Sequence, residues 1–140
     1  MRGYFVTGTD TGVGKTEVAC FIARVWRSRG LTVGACKPAE TGVEGDEPRD
    51  AAALAAAAGD GRTLDEICPY RFAESLAPLV AAKRAGVVID PARLSLAVEA
   101  AFRGRDRVIA ETAGGLLVPY ADRCDGDAFG ERGAGARREQ

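Results

Sequence analysis

The feature that most constrains this chain is a run of small residues ending in Lys-Thr: Gly8-Thr9-Asp10-Thr11-Gly12-Val13-Gly14-Lys15-Thr16. Tyr4-Phe5-Val6-Thr7 before it is aromatic and β-branched and reads as a buried strand that stops at glycine. After it, Val18, Phe21, Ile22, Val25 and Trp26 recur at spacings of three and four, which predicts a helix over 15–29 with those side chains inward and Glu17, Arg24, Arg27 and Ser28 outward. A strand, a glycine-rich loop and a helix in succession make the setting of a phosphate-binding loop. Small residues let main-chain N–H groups turn toward phosphate oxygens, and the helix N-terminus adds positive potential. Gly12, Val13, Gly14, Lys15, Thr16 and Glu17 are the expected nucleotide contacts, with Lys15 on the β- and γ-phosphates and the Thr16 hydroxyl on Mg²⁺. The alternative is a glycine-rich turn with a chance Lys-Thr. The usual pattern has four residues between its glycines, whereas Gly8 and Gly14 enclose five.

The rest of the chain alternates strands and helices. Gly30 ends the first helix, residues 31–36 read as a second strand that stops at Lys37-Pro38, and residues 39–48 read as a loop. An alanine-dense helix over 50–58 ends at Gly59, and two more are expected over 78–85 and 91–103. Arg107-Val108-Ile109-Ala110-Glu111 is a third strand, and Gly114-Gly115 break the chain before Leu116-Leu117-Val118. This alternation predicts an α/β fold, a parallel sheet with helices on both faces. Residues 122–140 lose apolar periodicity and are expected to be a disordered tail behind 1–121, which is expected to be the N-terminal part of a single domain.

Composition removes several functions. With 19 Lys and Arg against 20 Asp and Glu, no general positive field exists to hold nucleic acid or an acidic membrane surface. Histidine is absent and the four cysteines, Cys20, Cys36, Cys68 and Cys124, form no CxxC pair, so no zinc-type cluster is expected and the thiols read as reduced. The first residues turn polar too early for a signal peptide and no apolar run approaches a membrane span, so a soluble, cytoplasmic protein is expected.

The longer glycine spacing resembles the opening of dethiobiotin synthetases, whose loop reads Tyr-Phe-Val-Thr-Gly-Thr-Asp-Thr-x-Val-Gly-Lys-Thr. Further similarities follow in order: Lys37-Pro38, Thr41-Gly42, Asp50 at the start of the alanine-rich helix, Pro69-Tyr70-Arg71-Phe72, Ala77-Pro78, and Glu111-Thr112-Ala113-Gly114-Gly115. The resemblance implies a P-loop NTPase-like fold and the ATP- and Mg²⁺-dependent conversion of 7,8-diaminononanoate and CO₂ to dethiobiotin, in a homodimer. It implies that Lys15 and Lys37 are catalytic cations. Thr11, Lys37 and Thr41 would lie near the substrate, Thr16, Asp50 and Glu111 around the metal, and Thr112, Ala113 and Gly114 near the nucleotide. Standing alone, Lys37 also reads as a solvated residue at a strand end, Asp50 as a helix cap, and Thr41 as an ordinary loop residue. Glu111 is expected at the carboxyl edge of the sheet rather than inside the core. Thr112 stands where the family usually has glycine, which leaves the main chain there less free.

Such enzymes continue well past this length, and after residue 122 the resemblance stops, so the sheet is expected to be incomplete at its C-terminus and turnover weak. Two other readings compete. One is a related P-loop ATPase, of the cobyrinic acid amide synthetase or partitioning type, although Thr9-Asp10-Thr11 lacks the extra lysine that partitioning ATPases usually carry. The other is a catalytically dead nucleotide-binding fragment.

Overall fold

A computed structural model describes residues 2–121 and the main chain of Cys124–Asp125. Three strands form the central parallel sheet: β1 (Arg2–Val6), β2 (Val33–Cys36) and β5 (Arg107–Glu111), in the order β1-β5-β2. β1 and β2, joined by the helix α1 (Lys15–Ser28), are therefore not neighbours. The last of the three in sequence, β5, slips between them, pairing Val6 with Glu111 on one side and Cys36 with Ala110 on the other. Its residues explain that central place. Val108 and Ala110 pack on one face and Ile109 on the other, all nearly inaccessible, so the strand needs cover on both sides.

Helices cover both faces. On one, α1 and α2 (Arg49–Ala58) join Val33, Ala35 and Ile109 around Leu54, with Ile67 of the single-turn α3 (Leu64–Ile67). On the other, α5 (Pro91–Phe102) lays Ala97, Val98 and Ala101 over Cys36, Val108 and Ala110. Here α5 comes so near β2 that a Cβ on Gly34 would lie 2.0 Å from the Ala101 carbonyl oxygen, which explains glycine in a buried strand.

Several expectations need correction. The inward face of α1 is Ala19, Cys20 and Ala23; Val18 and Phe21 are 53% and 65% exposed, while Ile22, Val25 and Trp26 are half-buried. Small side chains win because α1 packs against the alanine face of α2, where closeness of the main chains matters more than side-chain bulk. Ala39–Thr41, expected as loop, is a strand (β3) that pairs in parallel with β4 (Tyr70–Phe72). Three residues carry no readable alternation, and the partner lies some thirty positions away. The α3 turn was also not expected, although its signal is in the sequence: Thr63 and Glu66 form a reciprocal capping box. A third apolar cluster gathers Ala39, Tyr70 and Phe72 with α4 (Pro78–Arg84) and Tyr120 of β6 (Pro119–Ala121). Most of the tail expected over 122–140 lies outside the described residues; Cys124–Asp125 (β7) pair antiparallel with β6.

The outer edge of β2 is covered by a charged network. The Asp60 carboxylate, wholly buried, accepts from the Ala35 N–H at 2.8 Å, from Arg62 Nη2 at 2.7 Å and from Arg105 Nη2 at 3.2 Å, while Arg62 Nη2 also donates to the Ala35 carbonyl. Burial by itself would raise the Asp60 carboxyl, but the Arg62 and main-chain donors outweigh it and hold it below its ordinary 3.8. A carboxyl depressed in the folded state stabilises fully above the unfolded value and loses that contribution as pH falls through the lower folded one. Acid unfolding should therefore steepen below about pH 3.8, and Asp60→Asn should flatten that limb in melts recorded against pH. An unchanged acid limb would show that the network contributes nothing.

Candidate functional site

The site forms where the three central strands end. Because Val6, Glu111 and Ala110 with Cys36 stand in register, the residues that follow each strand emerge at one carboxyl edge. The loop over 7–14, Lys37, and Thr112 with its successors therefore meet there, as ligand-binding segments do in open α/β sheets.

The loop turns into α1 at Gly14, whose φ of 93° lies in the left-handed region and suits only glycine, and whose carbonyl accepts from the Val18 N–H at 3.1 Å. Lys15 is buried to 9% exposure and its ammonium reaches back to the Asp10 carbonyl at 2.5 Å. The segment after β5 is tied to the same loop: the Thr112 N–H donates to the Val6 carbonyl at 3.0 Å and the Leu116 N–H to the Gly8 carbonyl at 3.3 Å. Thr112 is fully buried, with its hydroxyl 3.2 Å from that of Thr7 and 3.1 Å from the Gly114 carbonyl. Its φ is not positive, so threonine meets no strain here; the concern raised by a missing glycine does not apply. Ala113 is held by the buried Tyr120 hydroxyl, which accepts from its N–H at 2.6 Å.

Lys37 is the electrostatic centre. It is 3% exposed, and its ammonium donates to Glu111 Oε1 at 2.7 Å and to Asp50 Oδ2 at 2.9 Å. Burial works against its charge, but Glu111 and Asp50 prevail and raise it above the ordinary lysine value, so it is a cation at neutral pH. The reading of Lys37 as a solvated strand-end residue is thus incorrect. Glu111 ends β5 as expected, but it is 1% exposed and so belongs to the buried interior as well as to the edge. Its Oε1 also accepts from the Thr16 hydroxyl at 2.8 Å, and its other oxygen, Oε2, is buried without a hydrogen-bond partner among the described residues. Asp50 does not cap α2 with its side chain: the cap position is Pro48, and the first-turn N–H groups of Asp50 and Ala51 are met instead by Glu40.

These groups line a cleft of about 300 Å³. Thr11, Gly12, Gly14, Lys15, Thr16, Glu17, Lys37, Thr41, Asp50, Glu111, Thr112, Ala113 and Gly114 all border it; of the residues singled out from sequence only Val13 does not, standing 53% exposed on the loop. Glu40 borders it as well and escaped notice, because a lone glutamate in an apparent loop carries no pattern. Burial outweighs the main-chain donors on its carboxyl and raises it above the ordinary glutamate value. A second hollow of about 340 Å³ adjoins the first, sharing Thr11, Thr41, Ala113 and Gly114, with Ser75, Leu76, Pro78 and Val118 among its other walls.

Three of the cysteines lie away from the residues that line the cleft. Cys20, Cys36 and Cys68 are buried free thiols, and burial raises all three, Cys68 to about 12.

Residues 2–125 match the AAA domain family. The chain is 50% identical over 123 residues to the ATP-dependent dethiobiotin synthetase of Anaeromyxobacter dehalogenans, covering 88% of this chain and 55% of the relative. It is 42% identical to the enzymes of the same description from Bacillus cereus, with 87% and 51% covered, and from Nitrosospira multiformis, with 91% and 57%. The chain thus spans about half the length of the curated relatives it matches.

Proposed function

The chain belongs to the AAA domain family, and from that premise we propose that it is the phosphate-gripping part of a dethiobiotin synthetase. The observation that carries this reading is the meeting of Lys15, Thr16, Lys37, Asp50 and Glu111 around one cleft at the sheet's carboxyl edge. The relatives' names give an ATP-dependent dethiobiotin synthetase; the reaction implied by that resemblance is closure of a cyclic urea from 7,8-diaminononanoate and CO₂. One amine of the substrate captures CO₂ as a carbamate, and a carbamate oxygen attacks the γ-phosphorus as ADP leaves. The second amine then attacks the carbonyl carbon of the mixed anhydride, and phosphate departs.

The difficulty of that sequence is electrostatic, since two anions must meet, and fixed cations do most of the work in phosphoryl transfer. Loop N–H groups from Gly12 to Glu17 and the Lys15 ammonium hold the phosphates. Lys37, buried and charged, offers donors to the carbamate and the γ-phosphate. Thr11 and Thr41, shared by both hollows, would orient the diamine, whose carbon chain suits the apolar walls of the second. Thr112, Ala113 and Gly114 border the nucleotide. The donor set also fits Mg²⁺: the Thr16 hydroxyl, the Asp50 carboxylate and Glu111, with a buried oxygen that lacks a partner among the described residues, are hard oxygen ligands. Bound there, the ion would spread the charge of the β- and γ-phosphates.

Among the described residues no helix is long and apolar enough to cross a membrane, and the buried free thiols agree with a reducing, cytoplasmic setting. As part of this reading the intact enzyme is a homodimer. Calorimetry with Mg²⁺-ATP and with 7,8-diaminononanoate tests the proposal: binding of both is expected. ATP binding without the diamine would favour another P-loop ATPase, and binding of neither would overturn the assignment.

A further inference from the structure

Glu40 has no part in the reaction as described, yet it is 6% exposed and both its carboxylate oxygens are engaged. Oε1 accepts from the Asp50 N–H at 3.0 Å and Oε2 from the Ala51 N–H at 2.9 Å. A helix leaves its first N–H groups without partners, and Pro48 at the cap of α2 makes no side-chain bond to them. A carboxylate from β3, ten positions earlier, does so instead, with the helix dipole favouring its charge.

The arrangement has a consequence for the cleft. The N–H that Glu40 holds belongs to Asp50 itself, whose side chain is 48% exposed and so is not positioned by burial. Lys37 binds the Asp50 carboxylate at 2.9 Å, while Glu40, on the same short segment, binds the Asp50 main chain. Two residues of one segment thus grip a single aspartate at both ends. β3 is anchored in turn by its register with β4, Glu40 opposite Arg71. We infer that Glu40 is a positioning residue, which fixes the N-terminus of α2 so that the Asp50 carboxylate stands beside Lys37 and Glu111 where a metal-bound nucleotide would meet it. The inference rests on the metal reading of Asp50 given above.

The test measures ATP affinity by calorimetry with and without Mg²⁺, for the unaltered chain and for Glu40→Ala, Glu40→Gln, Asp50→Ala and the Glu40→Ala/Asp50→Ala pair. The readout is the gain in affinity that Mg²⁺ confers, which simple loss of a helix cap would not alter. Glu40→Ala is expected to reduce that gain about tenfold, the lower end of the cost of losing a group that orients a metal ligand, and to leave metal-free ATP binding unchanged. Glu40→Gln, whose amide keeps one accepting oxygen, should recover part of it, and the pair should lose no more than Asp50→Ala alone. A gain intact in Glu40→Ala but lost in Asp50→Ala would overturn this inference and spare the metal reading. A gain intact in Asp50→Ala, or absent from the unaltered chain, would overturn both. Should Glu40→Ala fail to fold, Glu40→Gln decides: an undiminished Mg²⁺ gain there would refute the positioning role.

Discussion

Lys37→Met is expected to destabilise the fold by about 3–5 kcal/mol, because it strips the cation from a carboxylate that is almost wholly shielded from water. Glu111 is 1% exposed, and Lys37 supplies its short ion pair, leaving among the described residues only the Thr16 hydroxyl on the same oxygen. An exposed pair would be worth no more than about 1 kcal/mol, so the size of the loss reports burial directly. Urea or thermal melts measure it. Adding Glu111→Gln to Lys37→Met should return much of the lost stability, since the charge left unpaired is then gone as well. A single substitution costing less than about 1 kcal/mol would mean that the Lys37–Glu111 contact is solvated and that the electrostatic account of the cleft is mistaken.

Lys15→Ala should have the opposite profile. Among the described residues its ammonium meets a main-chain carbonyl, Asp10, and no carboxylate, so folding depends on it far less. Its expected loss falls on the ligand: removal of a charged donor from a phosphate is worth about 1.5–3 kcal/mol, which weakens ATP binding roughly 10- to 150-fold. Calorimetry with ATP on a variant that melts nearly as the unaltered chain does would show it. Retention of affinity within about threefold would remove Lys15 from the phosphate site, and with it the reading of the loop. The two lysines border one cleft, yet one is predicted to matter most to the fold and the other most to the ligand. Their partners account for the contrast.

How much of this was legible in advance varies with the range of the interaction concerned. The loop, α1, α2, α5 and β5 were readable because their signals are local: periodicity, an alanine run, a glycine after the last turn. The inward face of α1 is not legible from hydrophobic bulk, because closeness of the main chains decides it; Ala19 and Ala23 matter through what they lack. β3 and β4 were invisible as a pair, each three residues long and meaningful only against the other. Glu40 was overlooked for the same reason, since a cap normally precedes its helix directly and this one arrives from a strand.

By itself, then, the sequence determined that a phosphate-type loop lies between a buried strand and a helix, that strands and helices alternate, and which polar side chains are candidates for the site. Those are properties of neighbouring residues, set by backbone preference and side-chain spacing. Only the tertiary structure decided that β5 enters between β1 and β2, which carries Glu111 to Thr16 across ninety-five positions and to Lys37 across seventy-four. It alone decided that Lys37 is buried between two carboxylates and that Glu40, not Asp50, caps α2. Strand order and burial depend on which distant surfaces cover one another, and that energy appears only when the chain has closed on itself.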